Sequence, residues 1–325
     1  MAVDAVVTGA GGFIGGHLVA SLLAEGKTVR AVDIKPTDDW DQVHAEADNL
    51  QRDCADLANN REIVKGGVGE FYNLACNMGG MGFIETHKAD CMLSVLPSTH
   101  ALMAAREVEA ERFFYSSSAC VYAGYKQTDA DVTALREEDA YPADAEDGYG
   151  WEKLFSERMA RHFREDFGLQ TRVARYHNIY GPNGTWDGGR EKAPAATCRK
   201  IALAKLTGDH EIEVWGDGLQ TRSFTYIDDC VYGSKMIARG DFLEPLNLGS
   251  SEMVSINQLY YLVAEIAGID IELNHVDGFL GVRGRNSDNT LIRKEFGWEP
   301  SISLREGMEK TYAWIYDQVK ATYKL

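Results

Sequence analysis

Ala5-Val6-Val7-Thr8-Gly9-Ala10-Gly11-Gly12-Phe13-Ile14-Gly15, close to the start of the chain, reads as a strand turning into a helix. The short apolar run suits a parallel strand buried on both faces. His17 to Glu25 has the spacing of an amphipathic helix. Glycines at 9, 12 and 15 then permit a tight turn, close approach of backbone to a pyrophosphate, and close helix–strand packing. The helix N-terminus would add free N–H groups and a partial positive charge facing that anion. Gly9, Gly12, Phe13, Ile14 and Gly15 are therefore candidate dinucleotide contacts. The fold they predict is α/β, a Rossmann-type doubly wound parallel sheet.

Outward from this turn, Thr28 to Val32 is a second strand ending at Asp33. An acid there can accept bonds from an adenine ribose and would repel a 2′-phosphate, which favours NAD over NADP. Asp53 closes the next irregular stretch and is a candidate for the adenine amine. Phe71 to Cys76 is a further strand whose small Ala75 would let a cofactor pass over its tip. Asn77-Met78-Gly79-Gly80-Met81-Gly82 follows, glycine-rich enough for backbone to approach a ligand closely. Thr86 to Arg106 reads as helix with an interruption at Pro97.

Phe113-Phe114-Tyr115-Ser116-Ser117-Ser118-Ala119-Cys120 is an aromatic strand ending in hydroxyls and a thiol. In extended backbone, side chains two apart point the same way, so Ser118 and Cys120 would face one cleft. Tyr149 and Lys153, four apart on a helix, share one face. A nearby ammonium, with a cationic nicotinamide adjacent, is expected to lower the phenol from about 10 toward neutrality, fitting Tyr149 to take a proton from an alcohol. Ser118 would hold the same alcohol by hydrogen bonding. Glu191 onward reads as a helix with Pro194 in its first turn.

Thr8-Gly9-x-x-Gly12-x-x-Gly15, Asn73-Leu74-Ala75, Ser118, Tyr149-x-x-x-Lys153, His177-Asn178-Ile179-Tyr180-Gly181-Pro182 and Arg222-Ser223-Phe224-Thr225-Tyr226-Ile227-Asp228-Asp229 together resemble the extended short-chain dehydrogenase/reductases. These are the nucleotide-sugar epimerases and dehydratases. Longer runs sharpen the resemblance: Asn77 to Ile84, Ser117 to Cys120, Gly184-Thr185-Trp186, Gly188 to Ala196, Trp215 to Phe224 and Gly281 to Asn289. They imply GDP-D-mannose as substrate, with inversion at C3 and C5. The resemblance makes Cys120 the base and Lys192 the acid of that inversion. It implies sugar-nucleotide contacts at Gly79, Ser118, Asn178, Glu191, Lys192, Ala193, Gln220 and Ser223, with Lys200, Arg222 and Arg285 for the pyrophosphate. It also implies a homodimer built on helices around 86–106 and 149–167. Two departures stand out: Cys76-Asn77 where Ala-Asp is expected, and Ala123-Gly124 where Pro-Glu is expected.

A 4,6-dehydratase would carry an acid pair directly after the hydroxyl, where Ala119-Cys120 stand. A simple 4-epimerase would leave Cys120 and Lys192 unexplained. A non-catalytic NAD sensor would not be expected to keep Ser118, Tyr149 and Lys153 together.

At 325 residues, 45% hydrophobic and 26% charged, the composition is that of an ordinary soluble protein. A net charge of −17 argues against nucleic acid as a partner. No run is long and apolar enough for a membrane span. Six cysteines without a C-x-x-C pair argue against a metal site and fit a cytoplasmic protein. The expected organisation is a dinucleotide-binding unit over 1–180, also receiving segments near 220–250. A smaller substrate-binding unit would be formed mainly by 181–325.

Overall fold

The computed structural model describes residues 1–324. A seven-stranded parallel sheet is its centre. Six strands come in chain order: β1 (Val3–Thr8), β2 (Val29–Asp33), β3 (Asp48–Gln51), β4 (Val68–Asn73), β5 (Arg112–Ser118) and β6 (Thr171–Tyr176). The seventh, Leu246–Leu248, returns from far down the chain to pair with β6. Across the sheet the order is Leu246–Leu248, β6, β5, β4, β1, β2, β3. The direction of winding thus reverses between β1 and β4, and the loops after these two strands diverge there, opening a crevice at the carboxyl ends.

Alternation along the strands sorts the core into two faces. Ala5, Val7, Ala31 and Phe114 join one buried cluster, with the helices Phe13–Ala24 and Ile227–Arg239 against it. Val6, Val32, Phe71, Phe113 and Tyr115 point the other way, under Leu57–Ile63, Val95–Glu107 and Asp147–Phe167. A further layer packs helices Ala193–Thr207, Ile256–Ala267 and Leu304–Tyr323 together. Small strand groups complete it: Glu211–Trp215 beside Glu272–Val276, and Met253–Ser255, Thr221–Ser223 and Gly284–Arg285 side by side. Among the described residues no helix is long and apolar enough to cross a membrane.

Several element limits differ from the sequence expectation, each for a local reason. The first helix begins at Phe13, inside the glycine motif rather than at His17. β4 ends at Asn73, so Leu74 to Cys76 has already left the sheet. Pro97 does not interrupt a helix. It lies in the first turn of Val95–Glu107, where its missing N–H costs nothing, and the breaks fall at His87 and at Leu93-Ser94. The Ala193–Thr207 helix starts after Lys192, which caps it.

Candidate active site

A single cavity of about 970 Å³ runs along the carboxyl ends of the strands and is walled by both layers. At one end the glycine turn fits its expected task. A Cβ on Gly9, whose φ is +73°, would sit 2.9 Å from the Leu74 carbonyl, and one on Gly15 would sit 2.1 Å from the Gly9 oxygen. These two glycines are therefore required for strand and helix to meet. Gly12 caps the helix with no side-chain acceptor, leaving the first-turn N–H groups for an anion. Asp33 ends β2 and braces this turn: Oδ2 accepts from the Gly11 N–H and Oδ1 from the Lys35 N–H, each at 3.0 Å. Asp53 and Ala75 also line the cavity. The residues present thus fit a dinucleotide.

At the tip of β5 the chain departs from the extended path expected. β5 ends at Ser118, and Ala119–Val121 forms a 3₁₀ turn in which Ser118 Oγ accepts from the Cys120 N–H at 3.2 Å. Strand alternation therefore does not place Cys120; the turn does, and both side chains still reach the cavity. Gly150 lets the Asp147–Phe167 helix close on this turn, since a Cβ there would lie 2.3 Å from the Cys120 carbonyl oxygen. That contact sets Tyr149 beside Cys120 in one buried cluster.

Lys153 is buried, donates to the Ser116 carbonyl at 3.0 Å, and lies 5.6 Å from the Tyr149 ring centroid. The chain's own residues do not by themselves lower the Tyr149 phenol. Burial pushes it well above 10, and the Lys153 ammonium only opposes that rise.

Across the cavity, burial holds the Lys192 ammonium below its ordinary value, with the Cys120 and Cys76 thiols opposing the shift. Its loop is fixed by close contact with the glycine-rich loop after β4. The Gly80 N–H donates to the Arg190 carbonyl at 3.0 Å, and a Cβ on Gly80 would lie 2.5 Å from the Glu191 oxygen. Arg190 stacks 3.9 Å over the Phe83 ring and donates to Asn77.

Three cations expected at a pyrophosphate separate into two kinds. Arg285 is buried at the tip of β5, donating to Cys120 Sγ at 3.5 Å and Gln127 at 2.7 Å, and pairing with Glu146. Its charge stands beside the thiol. Arg222 donates only to the carbonyls of Thr221, Leu280 and Val282, and burial lowers it to about 10. Lys200 reaches only the Glu213 carbonyl. Among the described residues neither Arg222, Lys200 nor Lys192 is in an ion pair, so the cavity wall carries uncompensated positive charge suited to an anionic ligand.

Gly79, Asn178, Glu191, Ala193 and Gln220 line the same cavity. Ser223 does not. It is fully buried behind Asn178, whose side-chain amide donates to the Ser223 carbonyl at 2.9 Å. Cys76, singled out in the sequence only as a departure that could alter substrate fit, lines the cavity, and sequence reasoning missed Glu146, Trp215, Phe279 and Leu280. For Cys76 the departure from the expected Ala was the available signal; the others become neighbours only through the fold.

The profile of the family described as NAD dependent epimerase/dehydratase matches residues 5–249. The chain belongs to that family. A family member curated as GDP-mannose 3,5-epimerase 1 of Oryza sativa subsp. japonica is 45% identical over 321 residues, covering 97% of this chain and 82% of the relative. Among solved family structures, the UDP-glucose 4-epimerase of Thermotoga maritima with UDP-glucose aligns with a TM-score of 0.87 at 24% identity, covering 98% of this chain and all of the other. MoeE5 in complex with UDP-glucose and NAD aligns at 0.81 and 27% identity over 97% of this chain and 99% of its own.

Proposed function

We propose that this chain is an NAD-dependent epimerase converting GDP-D-mannose to GDP-L-galactose through a transient 4-keto sugar, with GDP-L-gulose as a side product. The observation that carries this reading is the 45% identity to a GDP-mannose 3,5-epimerase across nearly the whole chain. The meeting of Ser118, Tyr149, Lys153, Cys120 and Lys192 around one cavity supports it.

Gly9, Gly12, Phe13, Ile14, Gly15, Asp33, Asp53 and Ala75 would hold the dinucleotide, with Tyr149 and Lys153 at its reactive end. When bound, NAD supplies reversible hydride acceptance from C4 of the sugar. Tyr149 takes the C4 hydroxyl proton and later returns it, while Ser118 donates a hydrogen bond to the same oxygen. The ketone acidifies the hydrogens at C3 and C5, because each carbanion delocalises into an enolate. Cys120 Sγ removes a proton from one face, and Lys192 Nζ delivers one to the opposite face. Arg285 places a permanent cation within reach of the sulfur, where it compensates a thiolate. Arg222 and Lys200 take the GDP phosphates, and the partly exposed Trp215 and Phe279 rings line the cavity beyond them.

The test is to incubate the purified protein with GDP-mannose in D₂O. Deuterium at C3 and C5, with GDP-L-galactose formed, is expected; unlabelled substrate after long incubation would refute the assignment. A 4-epimerase or 4,6-dehydratase would show itself by a product changed at C4 or C6 instead.

The partner inferred for the protein itself is a second copy. Met92, Leu93 and Leu96 on one side, and Trp151 and Phe155 on the neighbouring helix, are exposed and form an apolar face on packed helices. Leu93→Glu combined with Phe155→Glu should turn a dimer into a monomer in sedimentation velocity. A wild-type protein that sediments as a monomer would refute the inference.

A further inference from the structure

Behind the proton-transfer pair lies a carboxylate that the reaction as described does not use. Glu152 is 2% exposed. Its Oε1 accepts from the Tyr115 hydroxyl at 3.1 Å and from Ser156 Oγ at 2.9 Å. Its Oε2 has no hydrogen-bond partner, and it lies 3.8 Å from Lys153 Nζ. Consecutive helix residues normally diverge. Here two donors hold the carboxylate from one side, so that its free oxygen is turned to the ammonium.

We propose that Glu152 is a positioning residue whose carboxylate serves as the buried counter-ion that keeps Lys153 an ammonium beneath Tyr149. An ammonium this deep is stable only if something compensates its lost hydration. The groups that face it are few. Ser116 offers a neutral carbonyl, and the Tyr115 ring centroid lies 4.9 Å away. From the loop after β4 comes the Cys76 thiol, itself near Lys192, and from the same helix the Tyr149 phenol. Burial raises Cys76, Tyr115 and Tyr149, which disfavours the negatively charged form of each. Glu152 is the carboxylate among the groups that face the ammonium. Removing it leaves an unpaired cation in a dry site, and the proton on Lys153 becomes the cheapest thing to lose.

The charge state of Lys153 can be read directly by NMR on the full chain labelled with ¹⁵N-lysine, its Nζ signal assigned by its loss in Lys153→Met. In the wild type the signal should remain that of an ammonium past the pH near 10.4 where free lysines titrate. Glu152→Gln should bring the midpoint down by at least about one pH unit, a tenfold loss of proton affinity, and Glu152→Asp should recover most of it. A midpoint unmoved in a folded Glu152→Gln protein, or equally displaced in Glu152→Asp, overturns the proposal. If Glu152→Gln fails to fold, Tyr115→Phe is read instead. Loss of one donor to Oε1 should move the midpoint the same way by less, and no movement overturns the proposal.

The kinetic consequence rests on Tyr149 as proton carrier: the Glu152 charge itself raises the phenol, so while Lys153 stays an ammonium the acid limb of kcat in Glu152→Gln should move to lower pH. The two ideas fail separately. A shifted Lys153 titration without any sugar-nucleotide turnover refutes the function, and normal turnover without the shift refutes the counter-ion.

Discussion

Cys120→Ala should reduce deuterium incorporation at C3 and C5 of GDP-mannose by about 10²-fold or more, the range a positioned acid or base contributes. The glycine turn should still hold the dinucleotide, because the groups packed on Cys120 are Ser118, Arg285, Tyr149 and the Gly150 turn rather than Gly9, Gly12 or Gly15. The prediction gains force from its contrast with Tyr149→Phe. Losing the thiol removes proton exchange on carbon while leaving oxidation at C4 possible, so transient reduction of the bound cofactor should still be seen at 340 nm. Losing the phenol should remove both. Exchange at wild-type rates in Cys120→Ala would show that another base operates, and Lys192→Ala would then identify it by abolishing exchange alone.

Arg175→Met should cost about 3–5 kcal/mol of stability, the usual consequence of leaving one half of a buried ion pair behind. Arg175 grips Glu157 with both arms, Nε to Oε1 at 2.9 Å and Nη2 to Oε2 at 2.7 Å, and both side chains are almost fully buried. Ser117 Oγ donates to the same carboxylate at 2.5 Å, and Arg175 also meets the Glu137 carbonyl at 2.6 Å. The pair therefore ties β6 and the Asp147–Phe167 helix to the residue preceding Ser118. Urea unfolding is the measure. The double variant Arg175→Met/Glu157→Leu should recover part of the loss, because no charge is then left uncompensated. A loss below about 1 kcal/mol in Arg175→Met, the scale of an exposed pair, would contradict this account.

What could be read from sequence was what local geometry dictates. The glycine turn, Asp33 at a strand end and the Tyr149–Lys153 spacing each depend on a few consecutive residues, and the expected strand–turn–helix and helix contexts hold them. The tip of β5 was half legible: residue types announced Ser118 and Cys120, but the turn that presents the thiol depends on Gly150, thirty positions later. Arg285 was expected at a phosphate because arginine in that run suits phosphate. Its partner Glu146 lies across the fold, and no spacing reveals a contact spanning so much chain. Ser223 failed for a different reason, since a short strand's inward face decided its direction. The Tyr149 phenol shows the limit of pairwise thinking: the ammonium was foreseen, the desolvation that outweighs it was not.

Asp33 also has a bearing on attempts to redesign cofactor choice. The side chain that would turn away a 2′-phosphate is the same one that fastens Gly11 and Lys35 in place. In the proposed binding mode, discrimination and architecture would fall to one carboxylate. A protein engineer wishing this scaffold to accept the phosphorylated dinucleotide cannot simply delete the acid. The new residue has to refasten the loop as well as remove the repulsion.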